Sequence, residues 1–348
     1  MTEIDPVFGH WHWQPPAGWR RITTVEMHTG GEPLRVFTSG LPPLPGDTVL
    51  EKRRYFSRHY DDLRTATMWE PRGHSDMYGA VITPSRGADL DVFFLHNEGY
   101  SAMCGHAIIA ITTLVFETGL VERVGARREL HINVPAGRIL AHAVMDGEHV
   151  SHVAFRNVPS FVYLRDQQIE VPGLGHIAFD IAYGGAFYAI VDGAQLGLNL
   201  EPREFNRLID CGRRIKHAVM ASIPIEHPFE QELGFLYGTI FTGPAQQSGH
   251  HSRNVCIFAD GEVDRSPTGS GVSARAALHY ARGEIALGTP IIVESILSST
   301  MTVRAVEQVA FGPHVAIVPE VSGTAHITGR NELYLDPNDP QGAGFNFR

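Results

Sequence analysis

The chain has 348 residues, 28 Lys+Arg against 38 Asp+Glu for a formal charge of −10, 43% hydrophobic residues and three cysteines. This is too apolar for a disordered chain and long enough for two domains, each with its own core. Basic residues come in short groups, Lys52-Arg53-Arg54 and pairs such as Arg127-Arg128 and Arg213-Arg214, so a nucleic-acid partner is not expected.

In chain order, strand-like runs fall at 22–28 (ITTVEMH), 91–96 (DVFFLH), 130–135 (LHINVP), 152–159 (HVAFRNVP), 187–192 (FYAIVD), 254–260 (NVCIFAD), 290–295 (PIIVES) and 315–321 (VAIVPEV). Helices are predicted at 104–118, 201–218 and 268–282. The first, CGHAIIAITTLVFET, is apolar nearly all round and stops at Gly119, which predicts a helix buried on every side with a left-handed glycine cap. Scattered Gly and Pro without linker-like clusters favour sheet-rich α/β or α+β domains.

The starts of the first and last helices match. HNEGYSAMCGHAIIA and GEVDRSPTGSGVSA each lead from a strand through an acidic turn into a helix, so that Cys104-Gly105-His106 corresponds to Thr268-Gly269-Ser270. This faint repeat predicts two related domains, each presenting a helix N-terminus. Two such ends, facing each other, hold a small carboxylate through free backbone N–H groups.

A cysteine in a helix's first turn has its thiolate favoured by the dipole, making Cys104 a candidate base near neutral pH, tuned by His106. Most free cysteines are simply small buried hydrophobes. Cys211, inside an amphipathic segment, and Cys256, inside an apolar strand, fit that description. Asp264, four residues before Thr268, is placed to meet a cationic amine, although an Asp beside Arg265 also suits an ordinary turn. Among 19 histidines the pairs His10/His12 and His250/His251 lack a third ligand at useful spacing, and no metal is expected. HTGGEP (28–33) matches neither a phosphate-binding loop nor a dinucleotide turn and reads as a tight turn near substrate. The absence of a secretory signal, of any CxxC and of any apolar run near the ~18 residues of a membrane span leads to the expectation of a cytoplasmic protein without a membrane partner.

At the level of these motifs the chain resembles the proline racemase family. The matching stretches are MHTGGEPLRV (27–36), RGHSDMYGAVITP (72–84), MCGH (103–106), YGGAFYAIVD (183–192), DRSPTGSG (264–271) and GTAHITGRNELYLDPNDPQGAGF (323–345). The resemblance implies a diaminopimelate-epimerase-like fold: two similar domains, each a curved sheet around a buried central helix, with the active site in the cleft between them. The expected division is 20–157 plus 325–348 for the domain carrying Cys104 and 158–324 for that carrying Thr268. It also implies carboxylate contacts from the backbone of Gly105, His106, Gly269 and Ser270, and Asp264 near a ring nitrogen.

Racemases and 4-hydroxyproline epimerases of the family have a second cysteine in the later box, reading SPCG, where this chain has Thr268. An alcohol is far less acidic than a thiol, so two-base racemisation is disfavoured. The pattern looks like the trans-3-hydroxy-L-proline dehydratase branch: one base, Cys104, removes the α-proton and the 3-hydroxyl leaves. No cofactor is expected, the partner is a small imino acid, and the chain is compatible with a homodimer. The alternatives are a racemase or hydroxyproline 2-epimerase, or an amino-acid-binding protein without turnover. ESILSSTMTV (294–303) departs from the family's glycine-containing ESIVGS, leaving that loop's geometry open, and GHWHWQPPAGW (9–19) has no assigned role.

Overall fold

The structure, a computed structural model, describes residues 13–120 and 127–347. The chain runs through the same strand sequence twice. In the first half, β1 (Arg20–Thr29) and β2 (Glu32–Ser39) form a hairpin, and β2 lies parallel to β3 (Tyr78–Thr83). β3 pairs antiparallel with β4 (Leu90–His96), and β4 lies parallel to β6 (Glu129–Val134). Then β6, β7 (Gly137–Asp146) and β8 (His149–Arg156) run as antiparallel neighbours.

The second half repeats this order. β10 (Gly175–Tyr183) and β11 (Phe187–Asp192) form the hairpin, β11 is parallel to β12 (Leu236–Gly243), and β12 is antiparallel to β13 (Ser252–Phe258). β13 is parallel to β15 (Pro290–Glu294), followed by antiparallel β16 (Thr300–Phe311) and β17 (His314–Gly323). The faint sequence repeat is thus a complete topological repeat. β9 (Ser160–Val171) pairs with both β10 and β17, closing the second sheet on itself. β17 also pairs with β8, joining the halves, and β18 (Ala325–Leu335) returns to pair with β1.

Parallel pairs need a crossover, and those between β4 and β6 and between β13 and β15 carry the central helix of each half. α3 (Gly105–Thr118) follows the short β5 (Gly99–Ser101); α5 (Gly269–Ala281) follows the short β14 (Glu262–Val263). From Gly105 to Val115 every residue of α3 is buried, as its all-round apolar sequence predicts, and Gly119 caps it at φ 66°. α3 packs against β1, β2, β7, β8 and β18, and α5 against β9, β10, β11, β16 and β17.

The predicted helix at 201–218 is a 3₁₀ turn at Pro202–Glu204 followed by α4 (Phe205–Ser222). Two further helices, α1 (Val49–His59) and α2 (Asp61–Met68), lie outside the sequence expectations. They cover the outer face of the first sheet, which explains why all of β4 is buried: Val92 and Phe94 face the α3 core, whereas Phe93 and Leu95 face a second cluster with Val49, Phe56 and Leu63. Among the described residues no helix is long and apolar enough to cross a membrane. His10 and His12 lie outside the described residues; of the N-terminal aromatic segment, Trp13 packs edge-on against Trp19 and Tyr334.

Candidate active site

The N-termini of α3 and α5 meet. A β-carbon built on Gly105 lies 2.5 Å from the Cα of Gly269, and one on Gly269 lies 2.7 Å from the Cα of Gly105. Only glycine at both positions permits this approach. The juxtaposed ends put Cys104 and Thr268, the N-cap residues of the two helices, on one cavity. Every sequence-predicted site residue lines it: Cys104, Gly105, His106, Asp264, Thr268, Gly269 and Ser270. All are at most 5% exposed where their side chains are polar or reactive.

His106 Nδ1 lies 3.1 Å from Cys104 Sγ. Burial holds its imidazole neutral, with a pKa of about 3, although the Pro33 carbonyl pulls the other way. The Cys104 thiol differs from the sequence expectation of a readily ionised group. Burial pushes it well above its usual range; the Ala107 backbone N–H pulls it down as a helix N-terminus should, but the Asp264 and Glu32 carboxylates push it up again. Desolvation outweighs the helix dipole because the sulfur is sealed in and faces two acids.

Asp264 is itself raised to about 6 by burial, against the opposing pull of the neighbouring Ser266 and Thr268. Its Oδ1 accepts from the Ser266 N–H at 2.7 Å. Thr268 takes φ 67°, a left-handed conformation costly for a β-branched residue, of order 1–3 kcal/mol. Among the described residues its Oγ1 makes no hydrogen bond of ordinary geometry, yet it is near enough to lower the pKa of both Asp264 and Cys256.

Cys256 is therefore more than the packing residue its apolar strand suggests. It is fully buried, and it also lines the cavity. Its thiol is raised well above the usual range by burial and then by Asp264, so the pocket holds two thiols, both strongly disfavoured as thiolates. Cys211 is buried in α4, away from the cavity.

The remaining walls come from Tyr78, Met103, Tyr188, Tyr237 and Phe258. Tyr188 Oη lies 2.7 Å from Ser270 Oγ. Of the tyrosines, Tyr78 and Tyr188 fall within recognisable motifs, DMYGAV and GGAFYA, but nothing local in the sequence marks Tyr237. The YGGAF glycines act through close approach: a β-carbon on Gly184 would lie 2.1 Å from the Ser270 carbonyl oxygen.

HTGGEP is a tight turn, with Gly30 at φ 59° and Gly31 at φ 94°, but it does not line the cavity. It buttresses both helix starts instead. Thr29 Oγ1 donates to the His106 carbonyl at 2.8 Å, and Glu32 Oε2 accepts from the Arg265 N–H at 2.7 Å. Asp76 adds a second tie from the first half, 2.7 Å from the Arg265 guanidinium.

The ESILSST loop keeps the shape a glycine gives. Ser298 takes φ 64°, and its hydroxyl is held by Arg253 at 2.8 Å and Gln246 at 3.1 Å.

The arrangement is suited to proton transfer at a carbon next to a carboxylate: backbone amides of two helix starts for the acid, a buried carboxylate for a cationic nitrogen, and a thiol and a hydroxyl on the helix caps.

Comparison with known proteins agrees with the motifs. A Colwellia psychrerythraea protein named trans-3-hydroxy-L-proline dehydratase is 51% identical over 341 residues, covering 97% of this chain and 96% of its own. Two Burkholderia proteins are each 45% identical over 328 residues, covering 94% of this chain and 98% of theirs; that of B. cenocepacia has the same name, and that of B. multivorans is named 3-hydroxyproline 2-epimerase. A crystal structure of a hydroxyproline epimerase from Agrobacterium vitis, with bound trans-4-OH-L-proline, superposes with a TM-score of 0.89 at 32% identity, covering 94% of this chain and 95% of that one. The family model described as Proline racemase matches residues 24–346, and the chain belongs to the proline racemase family.

Proposed function

We propose that this chain is a hydro-lyase that converts trans-3-hydroxy-L-proline to 1-pyrroline-2-carboxylate. The observation that carries the reading is the pairing of Cys104 with Thr268 on the two helix caps of one cavity, in a chain 51% identical to a protein with that dehydratase name.

In this reading the chain divides at 157/158 and 324/325, and the cavity lies between the two parts. The substrate carboxylate sits on the backbone amides of Gly105, His106, Gly269 and Ser270, where the helix ends stabilise charge developing on it. Asp264 faces the ring ammonium, whose positive charge offsets the two carboxylates that disfavour the Cys104 thiolate. The thiolate takes the α-proton; the C–H electron pair becomes the C2–C3 double bond as the C3–O bond breaks. In the trans isomer the α-hydrogen and hydroxyl share a face, so the new Cys104 S–H returns its proton to the departing hydroxide, releasing water. The enamine then isomerises to the imine. Thr268 positions or hydrogen-bonds the substrate on the opposite side.

A 2-epimerase is the second reading, favoured by the name of the B. multivorans relative. It requires a competent acid–base on the Thr268 side. The buried Cys256 thiol near Thr268 is the group there with sulfur chemistry, but its strongly raised pKa and full burial weigh against it. Incubation with trans-3-hydroxy-L-proline, following both imine formation and inversion at C2, separates the two readings.

A further inference from the structure

Asp264 follows β14 in the second half of the chain, and its own N–H donates to the Cys256 carbonyl of β13 at 3.1 Å. The amides on either side of it take their acceptors from the first half instead. The Val263 N–H donates to Asp76 Oδ1 at 3.2 Å, and the Arg265 N–H donates to Glu32 Oε2 at 2.7 Å. Asp76 Oδ2 also pairs with the Arg265 guanidinium at 2.7 Å, and that guanidinium turns back to donate to the Val263 carbonyl at 2.9 Å. Glu32 is fully buried and Asp76 nearly so, yet neither lines the cavity. A backbone N–H bound to a carboxylate in so dry a place is held firmly, because losing the acceptor would leave it desolvated and unpaired.

We propose that Glu32 and Asp76 are positioning residues for Asp264: from the first half they clamp the amides before and after it, and so fix its carboxylate where it meets the ring ammonium. The proposal rests on the reading of Asp264 as that contact. Its need follows from the chain around Asp264. A strand of only two residues leads into it, and the left-handed Thr268 follows four residues later. The Ser266 N–H that holds Asp264 Oδ1 at 2.7 Å belongs to the same short segment. Such a bond sets the shape of the segment but not its place relative to Cys104 and His106. Glu32 and Asp76 supply that reference, since Glu32 opens β2, which packs on α3, and Asp76 lies just before β3, the parallel neighbour of β2. The ring nitrogen carries its charge before and during removal of the α-proton, so a displaced Asp264 weakens both states and raises KM more than it lowers kcat.

The test compares the parent, Glu32→Ala, Glu32→Gln, Asp76→Asn and Asp264→Asn as full-length folded proteins. Isothermal titration gives the dissociation constants of L-proline and of cyclopentanecarboxylate, which has the ring and the acid without the nitrogen; kcat and KM are measured on trans-3-hydroxy-L-proline. In Glu32→Ala the L-proline constant and KM should each rise about tenfold, while kcat and the cyclopentanecarboxylate constant stay within about twofold of the parent. Glu32→Gln keeps an acceptor oxygen for the Arg265 N–H and should restore most of the loss. Asp76→Asn keeps the acceptor for Val263 but loses the charge that holds the guanidinium. It should move L-proline binding the same way by less, and carries the test should Glu32→Ala fail to fold. Unchanged L-proline binding in the Glu32 and Asp76 variants, an equal loss for both ligands, or a Glu32→Gln protein as weak as Glu32→Ala overturns the proposal. Parent-like L-proline binding by Asp264→Asn overturns it as well, by removing the ammonium contact. A parent that forms no imine while the L-proline differences persist counts against the proposed function alone.

Discussion

Gly105 and Gly269 stand with their α-carbons so close that neither tolerates a β-carbon, which would lie 2.5 Å from the facing Cα in one direction and 2.7 Å in the other. Neither needs glycine for its dihedral angles, since both sit in the first turn of a helix where alanine is intrinsically favoured. Gly105→Ala or Gly269→Ala should therefore destabilise by overpacking alone, by roughly 1–3 kcal/mol in urea denaturation, and should raise KM steeply by parting the amides that hold the carboxylate. Parent-like stability and KM in either variant would show that the helix ends are not in this contact.

Asp264 is raised from 3.8 to about 6 by burial. The folded protein thus holds this proton more tightly than the unfolded chain does, so stability falls as pH rises from about 4 to 6 and the loss is constant above that. Asp264→Asn should remove that slope and be more stable than the parent at pH 8, by up to about 3 kcal/mol. Its kcat/KM should be low at every pH, whereas the parent should lose substrate binding as pH drops through about 6 and the carboxylate is neutralised. Thermal melts and a pH–rate series check both halves.

Thr268→Cys puts a thiol, with a reference pKa of about 8.5, opposite Cys104. Exchange and inversion at C2 should rise at the expense of dehydration, read by chiral chromatography in deuterated buffer. An absence of any gain in inversion would remove the one-base explanation of this position.

Ser298 occupies a left-handed conformation while its hydroxyl meets Arg253 and Gln246. Ser298→Ala keeps the backbone strain and loses both hydrogen bonds; Ser298→Gly loses the bonds but releases a penalty of about 1 kcal/mol. Urea midpoints should rank glycine above alanine, and equal midpoints would contradict the argument.

The central helices and eight strands are legible in the sequence because burial on all sides or alternation leaves a local pattern. Helices α1 and α2 are not, since VLEKRRYFSRH is dominated by charge; its one clear signal is the capping box in which Thr48 accepts from the Glu51 N–H and Glu51 reaches back to the Thr48 N–H. The long half-exposed strands, such as β16 with Glu307 and Gln308 in its middle, escape detection because they alternate imperfectly. At the site, the backbone framework is readable from its glycines and caps. Tyr237 and the second face of Cys256 are not, because each sits in a strand that reads as ordinary core and only the sheet order carries it to the cavity. The ionisation of Cys104 departs from expectation for a related reason: the helix dipole is a local property, whereas the desolvation and the acids opposing it are tertiary.

The most direct measurement is incubation of the protein and of Cys104→Ser with trans-3-hydroxy-L-proline, following the imine product, with trans-4-hydroxy-L-proline and L-proline as controls. The account predicts imine from the 3-hydroxy substrate alone and a loss of at least about 100-fold in the serine variant. Full dehydration by Cys104→Ser, or inverted hydroxyproline without any imine from the parent, would contradict it.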